Sequence, residues 1–464
     1  MGSMHYISTR GGGEPLGFQQ AVMTGLARDG GLLLPAVIPD VRDKLAAWRG
    51  LSYTDLAFEV MRLFTDIPEE DLRAIITDSY SSFRHPDVAP VVKVGNLHVL
   101  ELFHGPTLAF KDIALQFLGS LFEYILARSG GELNIVAATS GDTGSAAIYG
   151  VRGREHIRIF VLFPKGRVSP AQERQMTSVL DDNVFCLAVE GTFDDCQGIV
   201  KSLFNDLDFR DTHALGAVNS INWARILAQI VYYFYAAFRV QETTGADRVR
   251  FTVPTGNFGD IFAGYMAARM GLPIGKLVVA ANANDILSRF FYSGIYESGD
   301  VHITPSPSMD IQVASNFERY LFYRAGGDPA AVRAWMGDFS KTGRLAVDDW
   351  QSRPEPLFDA YSAGTPETLA AIRQTWADHA YLADPHTAVG LACAERALNP
   401  DEPMICLATA HPAKFSQAIQ DATGQDLAKH PELDALSGLP VRCTTVANSE
   451  ESVREFISDL IEKP

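Results

Sequence analysis

The chain has 464 residues, 47% of them hydrophobic and 20% charged, with a net charge of −17. That length exceeds one compact core, so two or three domains are expected. The acidic balance argues against nucleic acid or an anionic membrane as a partner, but leaves room for a small anionic substrate in a local basic pocket.

From the N-terminus, "MGSMHYISTRGG" lacks the basic and apolar regions of a signal peptide, and its first three residues read as an added leader. Residues 4–94 are expected to form a mostly helical N-terminal domain. "PLGFQQAVMTGLARDGGLLLP" has a helical period and then a Gly-Gly stop, and "SYTDLAFEVMRLFTDIPEEDLRAIITDSYSSF" gives two more helices, the first capped by Ser52 or Thr54. The strand "NLHVLELF" follows.

Short apolar strands then alternate with helices. The strands are "LNIVAAT", "IRIFVLFP", "NVFCLAVEG", "VRFTVPT", "KLVVAAN" and "MICLATA". Helices are expected over 170–180, 193–207 and 221–241, and nearer the end "PAKFSQAIQDATG" reads as a helix with a Gly stop. This alternation predicts an α/β fold with parallel sheets covered by helices on both faces. The most apolar long stretch, "ILAQIVYYFYAAF", is shorter than the roughly 20 residues a spanning helix needs and contains Gln229, so it reads as a buried helix. Residues 306–364, richer in Pro, Gly and Asp, read as loops and short helices decorating the fold. The five cysteines (Cys186, Cys196, Cys393, Cys406, Cys443) have no metal-ligand or redox spacing and read as reduced core residues of a cytoplasmic protein.

In open α/β sheets, ligands gather at the carboxyl ends of the strands. Three loops after strands have suitable chemistry. "PTGNFGD" (254–260) opens a helix, and Gly256 and Gly259 let several N–H groups converge on an anion. No GK[ST] follows, so it is not a Walker loop; a plain tight turn is the alternative. "TSGDTGSAA" (139–147) is rich in small residues and hydroxyls and suits a carboxylate, or is again an ordinary turn. In "ATAHPAKF" (408–415), Thr409 could meet a ring nitrogen, with His411 and Lys414 following. A fourth feature is Lys111, at the mouth of the apolar helix "DIALQFLGSLFEYIL". A desolvated lysine there would have a lowered pKa and be a good amine nucleophile or base; a lysine snorkelling from a helix start is the alternative. One reading unites these parts: Lys111 holds pyridoxal phosphate through its amine, "GNFG" holds the cofactor phosphate, and "SGDTG" holds an amino-acid carboxylate.

"HGPTLAFKD", "ATSGDTGSAA", "NSINWARI", "PTGNFGD" and "TAHPAKF", in this order, resemble the threonine synthase family in its longer bacterial and fungal form. The resemblance covers nearly the whole chain, including "YISTRGG" and "GFQQAVMTGLARDGGLLLP" at the N-terminus. It implies a fold-type-II pyridoxal-phosphate enzyme related to tryptophan synthase β, which converts O-phospho-L-homoserine and water into L-threonine and phosphate. It places a catalytic region over 95–464, with a smaller mobile α/β subdomain at about 110–215 and a larger domain at about 216–464 that also takes in 95–109. A monomer is expected.

By motif position, the resemblance makes Lys111 the covalent attachment point of the cofactor and the main proton carrier, with Phe110 as an aromatic neighbour. Gly256, Asn257, Phe258 and Gly259 would bind the cofactor phosphate, and Thr409 would meet the pyridine nitrogen. Thr139, Ser140, Asp142 and Thr143 would bracket the substrate carboxylate and the cofactor face. Asn219, Ser220 and Arg225 would meet the substrate phosphate. Many relatives have Asn where this loop has Asp142, and an ionised Asp cannot donate a hydrogen bond, which leaves that residue's role open. A related phospholyase or dehydratase is the enzymatic alternative. A silent binding paralogue would be expected to lose the lysine, and a nucleotide-binding dehydrogenase would need a G-x-G-x-x-G that is absent.

Overall fold

The computed structural model describes residues 4–461, so the first three residues lie outside it. The chain divides into two compact units. The first comprises residues 4–76, 83–104 and 220–428; the second comprises 77–82, 105–219 and 429–461.

The first unit is built on a six-stranded sheet. Its strand order is Phe358–Ser362, Ile274–Ala281, Val249–Pro254, Met404–Ala408, Leu97–Glu101 and Val91–Val94. Every neighbouring pair is parallel except the last. Met404–Ala408 is buried along its whole length, which accounts for the continuous apolar run "MICLA". Its Cys406 pairs with Thr252 on one side and Val99 on the other. The helix Trp223–Thr244 is capped by Asn222, whose side chain accepts from Ala224 N, and it stops at the left-handed Gly245.

Residues 4–76 do not separate as a domain of their own. Beside the expected helices they contain an antiparallel pair, Tyr6–Ser8 with Leu33–Pro35, and they are aromatically joined to the Trp223–Thr244 helix. Tyr6 lies 5.9 Å from Trp223, Trp48 5.7 Å from Phe234 and Tyr53 5.4 Å from Tyr235. Residues 306–364 are also more than decoration. They supply the edge strand Phe358–Ser362, the helices Phe317–Arg324 and Pro329–Thr342, and a strand, Arg344–Ala346, that pairs with Ile295–Glu297.

The second unit holds a wholly parallel five-stranded sheet, in the order Thr444–Val446, Val184–Val189, Ile157–Pro164, Leu133–Ala138 and Leu215–Gly216. Its C-terminal segment corrects the expected division, which placed 429–464 in the larger domain. Thr444–Val446 pairs with Leu187–Val189, and the helix Glu450–Ile461 buries Val453 and Ile457 against the core of Phe160, Leu187 and Leu203. Two of its helices, Lys111–Ser129 and Asp142–Val151, cross backbone to backbone. A Cβ on Gly119 would fall 1.9 Å from Gly150 O, and one on Gly150 would fall 2.5 Å from Leu115 O. Four cysteines are buried as free thiols. Cys443 is exposed, contrary to expectation, because it leads into the edge strand. Among the described residues no helix is long and apolar enough to cross a membrane.

Candidate active site

In the second unit, Lys111 is the first residue of its helix. The turn before it is fixed by Asp112, which is fully buried: Oδ2 accepts the N–H of Thr107 at 2.8 Å and Oδ1 its hydroxyl at 2.6 Å. Gly105 is required there, because a Cβ would meet Asp112 Cβ at 2.4 Å. Lys111 Nζ lies 5.7 Å from the centre of the Phe110 ring. The lysine is half-buried rather than enclosed. The apolar run that suggested burial begins only at Ile113, one residue beyond the pinning aspartate.

The loop from Thr139 to Thr143 is braced from within. Thr139 Oγ1 accepts from Gly141 N at 3.0 Å and Gly144 N at 2.9 Å, so this hydroxyl shapes the loop. Ser140 is exposed and Thr143 half-buried. Gly141 has φ +143°, and a Cβ on it would fall 2.5 Å from the side chain of Gln172. Gln172 Nε2 donates to Asp142 Oδ1 at 2.9 Å, and its amide oxygen accepts from Ser169 Oγ at 2.8 Å, which fixes the orientation of the amide. Gln175, one turn on, donates to Thr107 O at 3.2 Å. The Pro170–Thr177 helix therefore holds both the lysine turn and the Asp142 loop. Neither glutamine stands out in the sequence; their i, i+3 spacing on a Ser-capped helix is the only signal.

In the first unit, the strand Val249–Pro254 runs into Gly256–Gly259 and then into the helix Gly259–Arg269. Among the described residues, the N–H groups of Gly256, Asn257 and Phe258 make no hydrogen bond, and those of the first helical turn have no carbonyl within the helix to donate to. Phe258 has φ +62°, a left-handed conformation rare for a residue with a side chain. Its ring is caged by Phe291, Phe317 and Phe358 at 6.1, 5.4 and 5.9 Å. A Cβ on Gly256 would fall 2.6 Å from Ser308 O. Segment 306–364 thus closes over the loop and holds its shape.

Asn316, which the sequence reading did not single out, gives Asn257 O both its backbone N–H, at 3.0 Å, and its side-chain amide, at 3.1 Å. Ser220 Oγ lies 2.9 Å from Ser315 Oγ and 3.4 Å from Asn316 Nδ2, so Ser220 and the glycine loop share one support. Below them Arg319, fully buried, donates to Asn316 Oδ1 and to the carbonyls of Leu33 and Ile221. Burial pushes its guanidinium down to about 9. Asn219 is exposed and closes a stretch of the second unit, whereas Arg225 belongs to the first. Arg225 is only 4% exposed, which rules out a solvated flank; burial pushes it down to about 10, offset by the nearby Tyr232.

Thr409 follows Met404–Ala408, the parallel neighbour of Val249–Pro254, so it leaves the same edge of the sheet as the glycine loop. Its N–H is held by Thr387 Oγ1 at 3.2 Å, and among the described residues its hydroxyl makes no hydrogen bond. Lys414 is buried and His411 half-buried, its Nδ1 accepting from Ala413 N at 3.1 Å.

In the first unit, an open N–H cradle at a helix start and a hydroxyl at the neighbouring strand end suit the phosphate and ring nitrogen of pyridoxal phosphate; in the second, Lys111 is a primary amine of the kind that condenses with its aldehyde. Comparisons with known proteins point to the same cofactor. Residues 5–80 match the model of the threonine synthase N terminus, 84–410 that of pyridoxal-phosphate dependent enzymes and 387–457 that of the threonine synthase C-terminal region. Threonine synthase of Pseudomonas aeruginosa is 47% identical over 98% of both chains, and that of Schizosaccharomyces pombe 49% identical over 89% of this chain and 88% of the other. The crystal structure of pyridoxal-phosphate-bound threonine synthase from Brucella melitensis superposes with a TM-score of 0.95 at 48% identity, covering 99% of this chain and 100% of that one. The chain belongs to the threonine synthase family of fold-type-II, pyridoxal-phosphate-dependent enzymes.

Proposed function

We propose that the protein converts O-phospho-L-homoserine and water into L-threonine and inorganic phosphate. The observation that carries this reading is Lys111, set on a turn pinned by Asp112 at the start of a buried helix, in a chain that matches threonine synthases from end to end. When bound, pyridoxal phosphate supplies the electron sink that lets a proton leave carbon.

The chain's own residues do the rest. The N–H groups of Gly256, Asn257, Phe258 and Gly259 hold the cofactor phosphate, and the Thr409 hydroxyl meets the ring nitrogen. Phe110 and Asp142 lie along the cofactor, and Asp142 acts as an acceptor already engaged by Gln172. Ser140, Thr143 and the loop shaped by Thr139 take the substrate carboxylate. Asn219, Ser220 and Arg225 take the substrate phosphate, where a guanidinium fork suits a dianion. Lys111 holds the cofactor and carries protons at the substrate's carbons. In the net change the Cγ–O bond breaks with its electron pair leaving on phosphate, Cβ loses one proton and gains the hydroxyl of water, and Cγ gains a proton. We read the protein as a monomer of the cytoplasm, a reducing compartment that suits its buried free thiols.

The test is to incubate the pure holoenzyme with O-phosphohomoserine and follow both products. Threonine and phosphate in equal amounts support the reading. Phosphate with a 2-oxo acid and ammonia instead would make it a phospholyase.

A further inference from the structure

The residue that follows the glycine loop, Asp260, is not used by the chemistry above. It lies in the first turn of the Gly259–Arg269 helix, where an acidic side chain commonly faces outward and offsets the helix dipole. This one turns inward. Its Oδ1 accepts two hydroxyls, from Tyr232 at 2.5 Å and Tyr233 at 2.9 Å, both fully buried on the Trp223–Thr244 helix. Its Oδ2 is sealed from solvent and, among the described residues, has no hydrogen-bond partner. Gly264 keeps the two helices close, since a Cβ there would fall 2.6 Å from the Tyr233 ring.

An anion with one oxygen sealed off and undonated is costly. A neutral carboxyl fits better: its carbonyl oxygen takes both tyrosine protons, and the other oxygen carries its own. Among the described residues no basic side chain is paired with it. The titratable neighbours are Tyr232 and Tyr233, with Tyr53 and Arg225 beyond, set against Tyr232. Burial pushes the Asp260 carboxyl up to about 6, against the pull of the two tyrosines.

We propose that Asp260 is a proton-linked positioning residue, which takes up a proton when a phosphate dianion seats on the adjoining Gly256–Gly259 loop. The inference rests on the reading that this loop holds the cofactor phosphate. A dianion on the N–H groups immediately before Asp260 competes with its carboxylate for the same helix end, so occupancy raises the carboxyl's affinity for a proton. By reciprocity, phosphate binding is strongest where Asp260 is already neutral and weakens as pH rises from about 6 through the occupied-state value. The neutral form also leaves the helix end's positive field to the phosphate.

The experiment titrates the full-length chain, stripped of cofactor, with pyridoxal phosphate and with pyridoxal, which lacks the phosphate. Binding is read by absorbance, and proton uptake by calorimetry in two buffers of different ionisation enthalpy. At pH 7 the wild type should take up between about half and one proton per site more than Asp260→Asn on binding pyridoxal phosphate. The two proteins should not differ with pyridoxal. Tyr233→Phe, which leaves the carboxyl in place but removes one donor to it, should move the uptake to higher pH; it keeps the test open if Asp260→Asn does not fold. Equal proton counts for wild type and Asp260→Asn, or a Tyr233→Phe profile superposable on wild type, would overturn the inference. If pyridoxal and pyridoxal phosphate bind the wild type equally well, the loop is not the phosphate site, and the underlying reading fails instead.

Discussion

Thr387 accepts the N–H of Thr409 on its hydroxyl oxygen, 3.2 Å away, and gives its own proton to Asp384. Asp384, fully buried, also binds His386 Nδ1 at 2.7 Å, and His386 Nε2 accepts the N–H of Ser308 at 3.2 Å. Ser308 is the residue whose carbonyl crowds Gly256. One buried carboxylate therefore underpins both Thr409 and the glycine loop. Thr387→Val keeps the shape and deletes the hydroxyl, which leaves Asp384 short of a donor. It should lower stability by about 1–3 kcal/mol and weaken cofactor binding, with Thr387→Ser restoring both. Denaturant unfolding and a cofactor titration check this; a valine variant that binds cofactor normally would show that Thr409 needs no such support.

Thr409 itself is testable through charge. A neutral hydroxyl can donate to an unprotonated ring nitrogen, whereas a carboxylate favours the protonated ring. Thr409→Asp should change the absorption spectrum of the holoenzyme and slow turnover while leaving folding intact. An unchanged spectrum and rate would remove Thr409 from the ring.

Lys111 should carry the cofactor covalently. Borohydride should bleach the yellow holoenzyme and fix the label on the peptide that contains Lys111. Lys111→Ala should still bind cofactor through the Gly256–Gly259 loop yet turn over negligibly. Label recovered on another lysine would reassign the site.

Much of this was legible in the chain because the signals are local. Strands buried on both faces read as apolar runs, and a glycine-rich loop between strand and helix stands out by its composition. What escaped is held by long-range contacts. The N-terminal helices look independent until Tyr6, Trp48 and Tyr53 are seen against Trp223, Phe234 and Tyr235. "TTV" is too short to declare itself a strand, yet it carries the C-terminal segment into the second unit. Asn316, Arg319, Asp384 and His386 are buried polar residues spread over the sequence, and only folding shows what each one satisfies.

A pH effect on stability follows from His98. It sits buried on Leu97–Glu101, where burial, helped by Lys93, pushes its imidazole down to about 4, and among the described residues its Nδ1 has no hydrogen-bond partner. The unfolded chain takes up this proton below about 6.5, and the folded one does so only near 4. Stability is therefore full above 6.5, falls as pH drops through that window, and levels off below it, a loss of roughly 3 kcal/mol. His98→Leu should flatten the 4–6.5 limb of a stability-against-pH curve. An unchanged limb would assign it to other groups.

Arg225 bears on selectivity. The protein is acidic overall, so a dianionic substrate needs a local cation, and Arg225 is a guanidinium already stripped of water in the first turn of the helix into which the "NSINWAR" segment runs. Its desolvation makes it a stronger partner for phosphate than a solvated side chain would be, because no water need leave it on binding. A charge-assisted contact of this kind is worth about 1.5–3 kcal/mol, and 1.4 kcal/mol is about tenfold. Arg225→Lys keeps the charge but loses the two-pronged fit. It should raise KM for O-phosphohomoserine roughly tenfold or more and weaken inhibition by inorganic phosphate. The resting spectrum should not change, because the proposed seat of the cofactor phosphate is the glycine loop and not Arg225. Asn219→Ala should act in the same direction but less, having lost a neutral donor. Thermal unfolding controls for the cost of placing an ammonium at a buried position. If Arg225→Lys folds normally and leaves both KM and phosphate inhibition where they were, another cation meets the substrate, and Lys414, buried beyond Thr409, is the next to replace.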